Sequence, residues 1–238
     1  MESTKATARF AGILYLLVAV TGAFSLLYVP AAFVVPGDAT ATARRIADAE
    51  STYRVGILSE LVCQILTVFL AVSLHRLLKA VDKTYAVMLL VVTSAYVPVR
   101  CLNLLNQIAP LVLLSGADFL SAFTKPQLDA LALGSLRLRS SWFGVVSAFW
   151  GLWFLPLGIL VIKSGLFPKL LGVLLLVAGS AYLFNSFTSI VLPAYKNVVN
   201  QLTLPLEGVG ELAMIIWLLV KGAKAHPPSH EPTPRALI

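Results

Sequence analysis

The feature that most limits what this chain can fold into is a series of six apolar runs, each about as long as a bilayer is thick. They cover about residues 10–29, 55–78, 85–114, 142–162, 170–192 and 204–220, and each ends at proline, glycine or charged residues. Lipid offers no hydrogen bonds, so a spanning segment must satisfy its own backbone, and an α-helix of about 20 apolar residues does this. The runs predict an all-α polytopic membrane protein, a bundle of six transmembrane helices. Composition agrees: 58% of the 238 residues are hydrophobic and 12% charged, against about 45–50% and about 25% in soluble domains. Residues 1–222 then form a single transmembrane domain, and 223–238, with four prolines, form a disordered tail.

The net charge of +7 does not point to nucleic acid. The basic residues stand singly at the ends of apolar runs, as membrane anchors do, so the lipid bilayer is the expected partner. Lys5 and Arg9 before the first run resemble a signal peptide, but 10–35 is longer than a signal core of about 7–15 residues. The run is read as a retained span. Six spans put both termini on one side, and ten Lys and Arg lie on that side against seven opposite. The positive-inside rule then places the termini in the cytoplasm.

Arg100 lies inside the third run. A cation in hydrocarbon costs about 2.5–3.5 kcal/mol on insertion scales, so it needs a partner or a wet cavity. Thr93, Tyr96, Arg100, Asn103 and Gln107 follow i, i+3, i+4 spacing and share one helix face. That stripe must face protein. Other runs carry matching stripes: Glu60, Gln64 and Thr67 in the second, Tyr182, Asn185 and Ser189 in the fifth, Glu207 and Glu211 in the sixth.

Depth ties the stripes together. Glu60, Glu207 and Glu211 come early in runs that start outside, whereas Arg100 comes about 22 Å along a run that starts inside, at 1.5 Å per residue. Asn185 is about as far along the fifth run. All five fall in the outer half of the membrane. The expected cluster has Arg100 held by one or more of the three glutamates, with Gln64, Asn103, Gln107 and Asn185 completing its hydrogen bonds. Three carboxyls against one cation leave one carboxyl without a full partner, and Glu207 and Glu211, at i, i+4, disfavour each other if both are ionised.

Three readings of this cluster stay open: a binding or transport site for a polar or anionic solute or lipid headgroup, an intramembrane enzyme or accessory subunit with a glutamate as acid or base, and a structural ion pair that fixes helix register. No nucleophile with an adjacent base, phosphate loop or metal-ligand spacing is present, and no cofactor is expected. His75, His226 and His230 stand at a span end or in the tail; Cys63 and Cys101 read as small buried hydrophobes. Trp150 and Trp153 read as packing.

In detail, 37–53 predicts a short surface helix capped by Asp38. Thr124-Lys125-Pro126-Gln127 is a capping box inside the longest loop, 115–141, where Leu128, Leu131 and Leu138 would lay a short helix on the membrane surface. Pro30 is expected to end the first span, Pro98 to remove one backbone hydrogen bond and kink the third, and Glu207 to sit in the first turn of the sixth.

Several segments resemble one family. They are Arg9-Phe10-Ala11-Gly12-Ile13-Leu14-Tyr15-Leu16, Gly37-Asp38-Ala39-Thr40-Ala41-Thr42-Ala43, Lys163-Ser164-Gly165-Leu166-Phe167-Pro168-Lys169-Leu170-Leu171-Gly172, and the ending from Glu211 through Trp217-Leu218-Leu219-Val220-Lys221-Gly222. Together they are similar to a bacterial integral-membrane family, domain of unknown function 4386. The resemblance implies a multi-span protein of a bacterial inner membrane and supplies no activity.

Overall fold

The computed structural model describes residues 2–223, which form helices and connections with no strand among the described residues. The tail expected from residue 223 lies, but for Ala223, outside the described residues, as do His226 and His230. Helix α1 (Glu2–Ala23) runs through a π-helical stretch (Phe24–Tyr28) into α2 (Val29–Phe33). There follow α3 (Ala39–Asp48), α4 (Glu50–Leu78), α5 (Lys83–Leu113), α6 (Lys125–Ser164), α7 (Lys169–Val191) and α8 (Lys196–Val220). Six stretches are long and apolar enough to cross a membrane, the first being the continuous Thr4–Phe33. The spans α4 to α8 pack in chain order, and α1 lies between α4 and α8 to close the circle.

Three boundaries differ from the sequence expectation, and each has a physical reason. Pro30 does not end the first span: proline sits at the start of α2, where a missing N–H costs least. The expected 115–141 loop is short. The capping box at Thr124 is present, but it opens α6, a 40-residue helix that continues unbroken into the fourth span. At 1.5 Å per residue α6 is about 60 Å long, twice the hydrocarbon thickness of about 30 Å. Helix α8 begins at Lys196 and carries Pro205 inside it, so Glu207 lies in its fourth turn rather than its first. Pro98 lies inside α5, as its place in the middle of the third run requires.

Apolar packing occupies both ends of the bundle. One cluster joins Leu70, Leu74 and Leu78 of α4 to Leu157 and Leu160 of α6 and Met214 and Leu218 of α8. The other joins Val29 and Phe33 of α2 to Ile46 of α3, Tyr53 of α4 and Leu136 of α6. The polar stripes lie between. Because lipid is as apolar as leucine, helices in a membrane associate through close backbone approach at small residues. The α6–α7 contact shows this. A Cβ at Gly151 would stand 2.7 Å from the Gly179 carbonyl oxygen, and one at Gly158 would stand 2.8 Å from that of Gly172. Seven residues separate the glycines on each helix, two turns, so both pairs meet on one face.

Short ties hold the connections. Asp38 caps α3 by accepting from the Ala41 N–H at 2.8 Å. Asp82 caps α5 by accepting from Thr84 N–H at 3.1 Å, and it pairs with Lys163 at the end of α6 at 2.9 Å. The Lys163 ammonium donates its hydrogen bond to Asp82 and holds that carboxyl below its usual range. His75 is not simply solvated: its Nδ1 lies 3.1 Å from the Ala86 carbonyl oxygen and ties α4 to α5.

Candidate functional site

The stripes face inward as the spacing requires. On α5, Thr93, Tyr96, Arg100, Asn103 and Gln107 are all buried, and so are Glu60, Gln64 and Thr67 on α4. Arg100 Nη2 donates to Glu60 Oε1 in a buried ion pair. Gln64 Nε2 donates to the same oxygen at 2.9 Å. Neighbouring helices in the circle therefore supply the pair.

The other carboxylate oxygen reveals residues that sequence reasoning missed. Ser25 Oγ donates to Glu60 Oε2 at 2.7 Å, and Arg139 Nη2 stands 3.8 Å from that oxygen. Arg139 also donates to the Ser25 carbonyl oxygen at 3.2 Å and to Ser25 Oγ at 3.1 Å. The π-helical stretch explains this arrangement. There the Val29 N–H bonds to the Phe24 carbonyl, five residues back. The matching donor for the Ser25 carbonyl is residue 30, a proline without an N–H. Arg139 occupies the place of that missing donor. So Arg139, assigned to a loop by its sequence context, is a buried second cation with its side chain only 10% exposed.

Three expected partners of Arg100 bond elsewhere. Asn103 Nδ2 donates to the Arg139 carbonyl oxygen at 3.3 Å. Gln107 is wholly buried and its side-chain amide has no partner, while its backbone carbonyl accepts from the Tyr53 hydroxyl at 2.7 Å. Asn185 serves α8 instead: its Nδ2 reaches Glu207 Oε1 at 3.1 Å, Asn200 Oδ1 at 3.1 Å and Thr203 Oγ1 at 3.2 Å. Asn200, Thr203, Glu207 and Glu211 form one helical stripe, i, i+3, i+7, i+11. That signal is visible only once the helix is carried back across Pro205.

Neither Glu207 nor Glu211 pairs with Arg100; among the described residues no cation lies within 4.0 Å of either carboxyl. The expected single cluster is two half-networks. A cavity of about 380 Å³ separates them, with Gln64, Tyr96 and Arg100 on one wall and Tyr182, Glu207 and Glu211 on the other. The common depth inferred for these groups is what brings them to one chamber. Tyr15, Trp150 and Trp153 also line it, so these tryptophans both pack and form its wall. The Arg100 guanidinium lies 5.7 Å from the centre of the Trp150 ring. Two buried atoms on this lining have no hydrogen-bond partner, Gln64 Oε1 and Trp153 Nε1, while the Tyr15 hydroxyl faces the Glu211 carboxyl. Cys63 lines the cavity as well. Among the described residues no group of three or more His, Cys, Asp or Glu is placed to hold a metal ion.

No curated protein and no solved structure matches the chain. Residues 10–222 match a family described as a domain of unknown function, DUF4386. That match spans all six membrane helices and both half-networks, and the chain belongs to this family.

Proposed function

We propose that this multi-pass membrane protein binds a small molecule in its central cavity, as a receptor or transporter for a polar solute or lipid headgroup. The observation that carries this reading is the pair of unpartnered polar atoms on Gln64 and Trp153 around a space of about 380 Å³. Buried polar groups are nearly always hydrogen-bonded, and an orphan costs about 1–3 kcal/mol. A network built only to fix helix register would close on itself. This one is satisfied behind Arg100, through Glu60, Ser25 and Arg139, and open in front of it. Ligand-binding pockets span about 300–1,000 Å³, and the cavity falls in that range.

In this reading Gln64, Tyr96, Arg100, Glu207 and Glu211 face the ligand. Glu60 and Asn185 orient them, and Asn103 and Gln107 belong to the packing around Arg139 and Tyr53. The protein resides in a bacterial inner membrane with cytoplasmic termini. Withdrawing buried Arg139 from the opposite loops widens the charge bias that supports this orientation. A cysteine replacing Ser115, in a chain lacking Cys63 and Cys101, is then labelled from outside intact cells, and one replacing Ala80 is not.

The binding test is a thermal-shift screen of the purified protein with solutes and lipids. A ligand at 100 times its Kd adds about 2.7 kcal/mol, roughly 5–11 °C in a chain of this size. A Cβ at Gly208 meets no atom within 4 Å, so Gly208→Trp fills the cavity without a backbone clash and abolishes the shift. A shift that survives in Gly208→Trp, or no shift with any compound, refutes the reading.

A further inference from the structure

We propose that the ligand of this cavity is an organic cation, an ammonium carried on an apolar body, which sits against Glu211 and arrives sideways from the lipid between α1 and α8. The proposal rests on the binding reading above and specifies its chemistry.

Charge comes first. Arg100 is the one basic residue on the lining, and Glu60 neutralises it from behind. Glu207 receives its hydrogen bond from the neutral amide of Asn185. Glu211, one turn further on, is half-buried, lines the cavity, and has no cation within 4.0 Å among the described residues. The lining therefore holds one cation already matched and two carboxyls that are not. The counter-charge missing from the chamber is positive, and burying a carboxylate without one is costly.

The walls agree. Tyr15, Tyr96, Trp150, Trp153, Phe154 and Tyr182 surround the space. Aromatic faces carry negative charge density, which attracts cations and repels anions. Gln64 Oε1, which no donor reaches, can accept a hydrogen bond from an ammonium. Carboxyls, aromatic faces and a free acceptor together recognise a lipophilic cation. A phosphate or carboxylate would meet Glu207 and Glu211 at close range.

The route follows from the helices. At one end α1 and α8 are in contact, where a Cβ at Gly12 would stand 2.9 Å from the Leu218 Cβ. Toward the other end they part. Leu27 on the π-helical stretch and Leu204 and Leu212 on α8 line the cavity while remaining 68%, 56% and 57% exposed. Residues that face both the chamber and the exterior mark an opening in the wall. Its rim is leucine, so the ligand reaches it from hydrocarbon and carries an apolar body.

Matched amphiphiles test this. Decylammonium and decyl sulfate share a chain and differ in head charge. Each is titrated into the purified protein in dodecyl maltoside, with tryptophan fluorescence as the readout, since Trp150 and Trp153 line the site. The cation is expected to bind saturably, decyl sulfate not to bind, and Glu211→Gln to weaken the cation at least about tenfold. Glu211→Gln itself should melt no lower than wild type, because it removes a carboxyl that no cation faces among the described residues and keeps an oxygen for the Tyr15 hydroxyl. Competition by added phosphatidylethanolamine, but not phosphatidylglycerol, identifies the cation as a lipid headgroup; absence of competition identifies it as a free amine. Preference for decyl sulfate, or equal cation binding by Glu211→Gln and wild type, overturns the cation assignment and leaves the cavity reading standing. If neither amphiphile binds, the cation assignment falls, and the thermal-shift screen alone decides the cavity reading.

Discussion

Replacing Arg100 by methionine keeps most of the side-chain volume and removes the charge that Glu60 faces. Both side chains are almost fully buried, 5% and 4% exposed. Breaking a buried pair by removing one partner costs about 3–5 kcal/mol, because the other charge is stranded. Glu60 is only partly stranded here. It keeps the Ser25 hydroxyl at 2.7 Å, the Gln64 amide at 2.9 Å and the Arg139 guanidinium at 3.8 Å. The loss should therefore lie at the lower end, about 3 kcal/mol. For a chain of this size that is roughly a 6–12 °C fall in Tm, at about 2–4 °C per kcal/mol. Adding Glu60→Gln removes the stranded charge and should recover about half of the loss. Adding Arg139→Met instead removes the reserve cation and should lower Tm further. Thermal unfolding of the purified variants in detergent measures all three. An Arg100→Met variant within about 2 °C of wild type, or a double variant with Glu60→Gln no better than the single one, would refute the reasoning, since neither fits a buried charge held by its partner.

Two further outcomes follow from the packing and the connections. Gly158→Val drives a branched side chain into the Gly172 carbonyl, which a Cβ alone would approach to 2.8 Å, and overpacking should cost about 1–3 kcal/mol; Gly208→Val, placed in open space, should melt within about 2 °C of wild type in the same assay. Lys163 holds the Asp82 carboxyl below its usual range, so the bridge stabilises above the ordinary aspartate pKa of about 3.9 and its contribution fades as pH falls through the depressed folded value. Asp82→Asn should therefore differ from wild type at neutral pH and low salt and converge with it in acid or at high salt, as Tm against pH and ionic strength will show.

Much of the site was legible because helical periodicity is a local property. The spacing of Thr93, Tyr96, Arg100, Asn103 and Gln107 specifies a face, and burial in a membrane bundle decides which way that face turns. Depth was legible too, since rise per residue converts position into height. Rotation and neighbourhood were not. Whether Arg100 meets Glu60 or Glu211 depends on the order of helices around the circle: α4 lies beside α5, and α8 stands across the cavity. Proline misled at Pro30, where it marked a helix end by the rules of soluble proteins, whereas membrane helices tolerate it where other groups satisfy the freed carbonyl. Arg139 does so at Ser25. Reading 115–141 as a loop hid Arg139 from view, although the capping box at Thr124 begins a stretch with no proline between Pro126, in its first turn, and Pro156.

The central claim is that the chamber between the two half-networks is an occupied binding site and not a packing defect. Native mass spectrometry of protein extracted directly from its membrane tests it most directly, with wild type and Gly208→Trp compared side by side. The account predicts a discrete small-molecule or single-lipid adduct on wild type that is absent from the plugged variant. Wild type without an adduct, or the same adduct on both proteins, would contradict it.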